Sequence, residues 1–145
     1  MTNPGDHLNR TAEMDGSGRP LRCVVVEDDA IVREVIALAL RGFDVEARNF
    51  TSAEEVVQAC DRVAPDVVFL DVALQNFDAI DVLRALGSEG YRGAVQLVSG
   101  HHSLLEMVQR IGEGNGLTML APVAKPFHAS ALRRAAEGCS RRAAA

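Results

Sequence analysis

Two kinds of apolar pattern alternate along this chain. The first is short and continuous: "LRCVVV" (21–26), "PDVVFLD" (65–71) and "GAVQLVSG" (93–100) carry apolar, mostly β-branched or aliphatic residues at nearly every position. Such runs predict strands buried on both faces. "FDVEARNF" (43–50) alternates instead and predicts a half-buried strand, and "GLTMLAPVA" (116–124) predicts a fifth. The second pattern repeats every three or four residues, as one face of a helix does. It fills "AIVREVIALALRGF" (30–43), "TSAEEVVQACDRV" (51–63), "FDAIDVLRALG" (77–87), "HSLLEMVQRIGEG" (102–114) and "HASALRRAAEG" (128–138). Gly42 is placed to end the first helix, Thr51 three residues before Glu54 reads as a capping box, and Gly87 closes the third helix. Five strand-then-helix units imply an α/β fold: a five-stranded parallel sheet, doubly wound, with helices on both faces.

Composition limits the number of domains and the partners. A chain of 145 residues, 48% hydrophobic and 24% charged, makes one globular domain. The first twenty residues, "MTNPGDHLNRTAEMDGSGRP", are rich in Gly, Pro, Asn and Asp and predict a disordered tail. The folded domain is expected over 21–138, with a short C-terminal tail over 139–145. A net charge of -5 argues against direct nucleic-acid contact or an acidic membrane surface. Arg133/Arg134 and Arg141/Arg142 read as solvated residues near the end of the last helix. Neither a signal peptide nor a membrane span is evident. Cys23, Cys60 and Cys139 form no metal-site spacing and fit packing in a reducing, cytoplasmic compartment. After Glu137 only "GCSRRAAA" remains, and no further DNA-binding or enzymatic region is expected there.

The polar residues gain meaning from the sheet. In open parallel sheets, ligands bind beyond the carboxyl ends of the strands. Strand one runs into Glu27 and Asp28, strand three ends in Asp71, strand four in Ser99 and strand five in Lys125. Each has an ordinary use taken singly. An aspartate after strand one can cap the next helix, the reading preferred for Asp29; Ser99 can belong to a turn, and Lys125 can be a surface lysine. Their convergence on one edge is harder to treat as ordinary. Crowded carboxylates repel unless a positive charge sits among them.

The motifs "VVVEDD", "DVVFLDVAL", "LVSG" and "AKPF", in that order, resemble those of the receiver domain of bacterial two-component response regulators, as in single-domain chemotaxis regulators. The resemblance runs from about Leu21 to Glu137. It implies a flavodoxin-like sheet of strand order 2-1-3-4-5. Carried over residue by residue, it implies that Asp71 accepts a phosphoryl group. Glu27, Asp28, Asp71 and the backbone carbonyl of Ala73 would hold Mg²⁺, and Ser99 and Lys125 would contact the phosphoryl group. The implied partners are a sensor histidine kinase or phosphotransfer protein and a downstream protein, with a homodimer also compatible; no membrane or direct nucleic-acid partner is implied. The same resemblance implies a cis Lys125-Pro126 bond. Such a domain phosphorylates itself from a donor and is not a turnover enzyme.

Several positions depart from the family pattern. Gln75 stands where Pro is usual, Ala79 where Gly is usual, and Pro122 where an aromatic ring usually rotates during signalling. The interval from Ser99 to Lys125 is long, with "GEGNG" (112–116) the expected insertion and 101–116 the expected route for a signal. Rival classes fit less well. A haloacid-dehalogenase-type phosphatase needs a second Asp where Ala73 stands, and a flavodoxin-like phosphate loop needs Gly, Ser and Thr where this chain has "EDD". An adaptor or phosphate sink on the same fold is the remaining alternative.

Overall fold

Parallel strands buried on both sides must sort their side chains into two cores, and the period of two along each strand does so here. The computed structural model describes residues 19–100 and 102–144, so residues 1–18 of the expected N-terminal tail lie outside the described residues. The strands are β1 (Arg22–Val26), β2 (Asp44–Ala47), β3 (Val67–Asp71), β4 (Ala94–Ser99), β5 (Thr118–Met119) and β6 (Val123–Ala124). All pairings are parallel, in the order β2-β1-β3-β4-β5, with β6 also on β4. The helices are α1 (Ala30–Ala39), α2 (Ala53–Val63), α3 (Ala79–Ser88), α4 (His102–Gly114) and α5 (Ala129–Ala144). Val24, Val26, Val68, Leu70, Val95 and Leu97 face one core, closed by α2, α3 and α4. Cys23, Val25, Val67, Phe69, Ala94 and Val98 face the other, closed by α1 and α5. This is the doubly wound sheet that the alternating pattern implies, in the flavodoxin-like order 2-1-3-4-5 that the resemblance implies.

The fifth strand position differs from the expected continuous strand. It is split into β5 and β6 around Leu120, Ala121 and Pro122. The Leu120 N–H still donates to the Val95 carbonyl at 2.8 Å, but Pro122 has no N–H to continue the ladder. Side chains take over: Gln96 Nε2 donates to the Ala121 carbonyl and Gln109 Nε2 to the Leu120 carbonyl, each at 2.9 Å. Its position at the sheet edge is where such a proline is tolerated.

Helix ends correct several sequence expectations. Ser52, not Thr51, caps α2, accepting from the Glu55 N–H. Glu55 reaches back one residue further, to the N–H and hydroxyl of Thr51. Gly87 does not end α3, which runs to Ser88 before Gly90 turns at φ 73°. Gly112 and Gly114 belong to the last turn of α4, so the expected insertion is mostly helix end. Gly138 does not stop α5 either: Cys139 is buried and the helix continues to Ala144, where a tail was expected. Arg133, expected to be solvated, instead donates to the carbonyls of Ala39 (3.2 Å) and Arg41 (2.8 Å) and lies 4.9 Å from the Phe43 ring centroid. It supplies the positive charge that the carboxyl end of α1 lacks in its own last turn.

Two glycines serve close approach. A Cβ on Gly87 would lie 2.6 Å from the Asn115 carbonyl oxygen, and one on Gly112 would meet the Met119 thioether. Backbone cannot yield as a flexible thioether can. Gly87→Ala should therefore destabilise by roughly 1–3 kcal/mol despite alanine's better helix propensity. Gly112→Ala should be near neutral. Denaturant unfolding of the two variants checks the order, which equal losses would contradict.

Candidate metal and phosphoryl-acceptor site

The carboxyl edge of the sheet gathers the acids that the sequence distributes over two strands. Glu27 and Asp28 follow β1, Asp71 is the last residue of β3, Ser99 the last of β4, and Lys125 follows β6. Oxygens of Glu27, Asp28 and Asp71 lie within 4.8 Å of one another. Lys125 Nζ sits 2.9 Å from Glu27 Oε2 and 3.5 Å from Asp71 Oδ2. Glu27, Asp71 and Ser99 are buried, Asp28 and Lys125 half-buried. The Lys125 N–H donates to the Ser99 carbonyl at 2.8 Å, tying these two strand ends together, and Lys125-Pro126 is cis as the resemblance implies.

Backbone amides fix the carboxylates. Asp29 N–H donates to Glu27 Oε1 (3.1 Å) and Ala73 N–H to Asp71 Oδ1 (3.1 Å). Gln75 N–H donates to Asp28 Oδ2 (2.9 Å). Arg33, one turn into α1, donates to the Glu27 carbonyl at 2.9 Å and helps hold the loop. Asp29 points away and caps α1, accepting from Ile31 N–H and Val32 N–H, as its position suggested. Arg33 and the Gln75 amide were not assigned from the sequence. Arg33 carried a signal in its spacing from the acids, whereas a backbone amide carries none.

Charge in the cluster is unbalanced. Burial, and then the neighbouring Asp71 charge, hold the Glu27 carboxyl above the usual carboxylate range despite its bond to Lys125. For Lys125, burial works against the charged form, but the hydrogen bond to Glu27 and the charges of Asp71 and Glu27 outweigh it and raise its pKa. Burial thus dominates at Glu27, whereas at Lys125 the neighbouring carboxylates prevail. Three carboxylates and one ammonium carry the formal charge that a divalent cation cancels, and an all-oxygen donor set suits Mg²⁺. The residues present therefore fit that ion.

A larger cavity of about 610 Å³ lies at the opposite sheet edge, lined in part by Cys60, Tyr91 and Cys139. It is remote from the acids. Burial pushes the Cys60 thiol up to about 12 and Cys23 higher still, so these thiols stay protonated and pack.

The fold and the acid cluster define a doubly wound domain with a carboxylate site that fits a divalent cation. Comparison with known proteins makes this specific: the family model for the response regulator receiver domain matches residues 23–137, and the chain belongs to that family. It is 27% identical over 117 residues to the transcriptional regulatory protein TrcR of Mycobacterium tuberculosis, covering 79% of this chain and 44% of that protein. It is 32% identical over 113 residues to the probable transcriptional regulatory protein TcrX of the same organism, covering 76% of this chain and 45% of that protein. The crystal structure of the receiver domain of NtrX from Brucella abortus superposes with a TM-score of 0.67 at 26% identity, covering 82% of this chain and 98% of that one. This chain thus spans less than half the length of those curated relatives.

The neighbouring aspartates should separate by function. Asp29→Ala should cost about 1 kcal/mol of stability through the lost cap, with Mg²⁺ affinity little changed. Asp28→Ala should do the reverse. Thermal unfolding and a Mg²⁺ titration on each variant check the pair, and equal losses of affinity would refute the division.

Proposed function

We propose that this domain accepts a phosphoryl group on Asp71 and signals, in the cytoplasm, by contact with another protein. The observation that carries this reading is the position of Asp71: a buried carboxylate at a central strand end, beside two further acids and within 3.5 Å of Lys125 Nζ. Glu27, Asp28, Asp71 and the Ala73 carbonyl would hold Mg²⁺, which supplies charge neutralisation for an incoming phosphate dianion.

The chain's own residues do the rest. An Asp71 carboxylate oxygen forms a bond to phosphorus while the bond from phosphorus to the donor imidazole nitrogen breaks, and the donor leaves with that electron pair. The Ala73 N–H on Asp71 Oδ1 orients the carboxylate and leaves Oδ2, on the lysine side, as the attacking atom. Lys125 then exchanges contact with Glu27 for contact with phosphoryl oxygens, and the Ser99 hydroxyl donates to one of them. This is a self-modification from a donor rather than turnover.

The donor is a sensor histidine kinase or a phosphotransfer protein. Helix α1 starts immediately after the acid pair and exposes Ile31 (75%), Val35 (50%) and Leu38 (64%) to solvent. A protein that reaches Asp71 from the open edge lands beside this apolar stripe, which is continuous at helical spacing. A second reading keeps the chemistry and changes the output: an adaptor or phosphate sink. Pro122 favours weighing it, since no aromatic ring stands there to report the state of the site.

Two outcomes test these assignments. Incubation with a small phosphodonor and Mg²⁺ should add one phosphoryl group by intact mass, with none added to Asp71→Asn; modification persisting in that variant would remove Asp71 from the role. Val35→Asp should slow transfer from a protein donor at least tenfold, the scale of about 1.4 kcal/mol, while the rate with the small donor stays unchanged. Equal loss with both donors would instead mean that the substitution damages the site itself.

A further inference from the structure

Among the three carboxylates, Asp28 is held differently from its neighbours. Glu27 uses both oxygens within the domain, Oε1 on the Asp29 N–H and Oε2 on Lys125. Asp71 has Oδ1 on the Ala73 N–H and Oδ2 facing Lys125. Both are tied to groups in their own segment or to the lysine. Asp28 lies apart from the lysine, and its Oδ2 accepts from the Gln75 N–H, 47 positions along the chain. That amide belongs to the loop between Asp71 and α3. Asp28 and Gln75 also line a small cavity of about 240 Å³, together with Asp29, Asn49 and Asn76.

The residue type at 75 matters because the contact is made by backbone. A proline there, the usual residue in the family pattern, has no N–H and cannot make it. Any other residue can, whatever its side chain. The bond links the loop after strand β3 to the loop after strand β1, across the mouth of the acid cluster.

We infer that the Gln75 backbone N–H is a positioning group for the metal site, holding Asp28 Oδ2 so that Oδ1 is presented to a divalent cation. This rests on the reading of Glu27, Asp28 and Asp71 as a Mg²⁺ site. The physical basis is general: a hydrogen bond to one carboxylate oxygen fixes the plane and rotamer of the group, and such outer partners commonly contribute ten- to a hundredfold to metal affinity. Here the contact is exposed, which places the expected effect at the low end of that range. The same bond links metal occupancy to the 72–78 loop, since moving Asp28 moves its partner.

The test compares Gln75→Pro, which deletes the N–H, with Gln75→Ala, which keeps it, against the wild-type chain. Mg²⁺ affinity is read by calorimetry or by amide chemical shifts, and folding by thermal unfolding. Expected are a weakening of about tenfold in Gln75→Pro and none in Gln75→Ala, with both variants folded. Wild-type affinity in a folded Gln75→Pro, or an equal loss in Gln75→Ala, overturns the inference while leaving the metal site standing. Absence of Mg²⁺ binding by the wild-type chain overturns both. Amide exchange supplies a readout that does not depend on tolerating proline: without Mg²⁺, the Gln75 amide should be protected in wild type and exchange faster in Asp28→Ala. An unchanged rate there also overturns the proposal.

Discussion

Mutual repulsion among Glu27, Asp28 and Asp71 is the constraint around which the rest of this molecule is arranged. At separations within 4.8 Å, each pair costs about 3.5 kcal/mol at an effective dielectric of about 20, so the set opposes folding by an amount comparable with the whole stability of a domain. Lys125, close to two of the three, offsets a repulsion of that order. The lysine follows β6 on the far side of β4, where its backbone N–H donates to the Ser99 carbonyl, and its ammonium reaches Glu27 and Asp71. The parallel sheet makes this gathering possible, because all its strands end on the same edge. Three carboxylates against one ammonium leave the formal charge of a divalent ion uncompensated, and burial, then the neighbouring Asp71 charge, raises the Glu27 pKa.

Backbone amides complete the arrangement. Asp29, Ala73 and Gln75 each direct an N–H onto a different acid. Each carboxylate thus has one oxygen held by a main-chain amide, while the second oxygens of Glu27 and Asp71 face Lys125. The loop after β1 divides its labour by direction: Glu27 and Asp28 face the cluster, while Asp29 turns outward to start α1. Three consecutive acids therefore divide between two surroundings, one satisfying a helix terminus and two contributing to an acid cluster that fits a divalent cation.

The sheet and the acid edge were legible in the sequence because each depends on a local rule. Buried parallel strands must be apolar throughout, and strand ends in such a sheet must coincide. What escaped was set by tertiary contact. Gly87 and Gly112 have the residue type of a helix stop, yet they serve to admit Asn115 and Met119. The capping box moved by one residue because Thr51 and Ser52 are both competent caps and Glu55 can serve either. Arg133 looked like one of several solvated arginines until α5 was laid across the end of α1. Gly138 lacks a breaking effect because Cys139, one residue later, is buried in the core beneath α5.

The edge of the sheet shows what a proline changes in the connection between site and surface. A continuous fifth strand would be held by main-chain ladder bonds, uniform along its length. Here the ladder is interrupted between Leu120 and β6, and two glutamine side chains, one from β4 and one from α4, hold the Leu120 and Ala121 carbonyls in the gap. Gln96 lies three residues before Ser99 on the same strand, and Gln109 lies in the centre of α4. Among the described residues neither glutamine Oε1 has a hydrogen-bond partner, so each amide is anchored to this segment by its donor end. The segment between β5 and β6 is thus joined to the acid edge through β4 and Lys125, and to the exposed face of α4 through Gln109. Mechanical continuity between the two runs through hydrogen bonds rather than through a rotating ring.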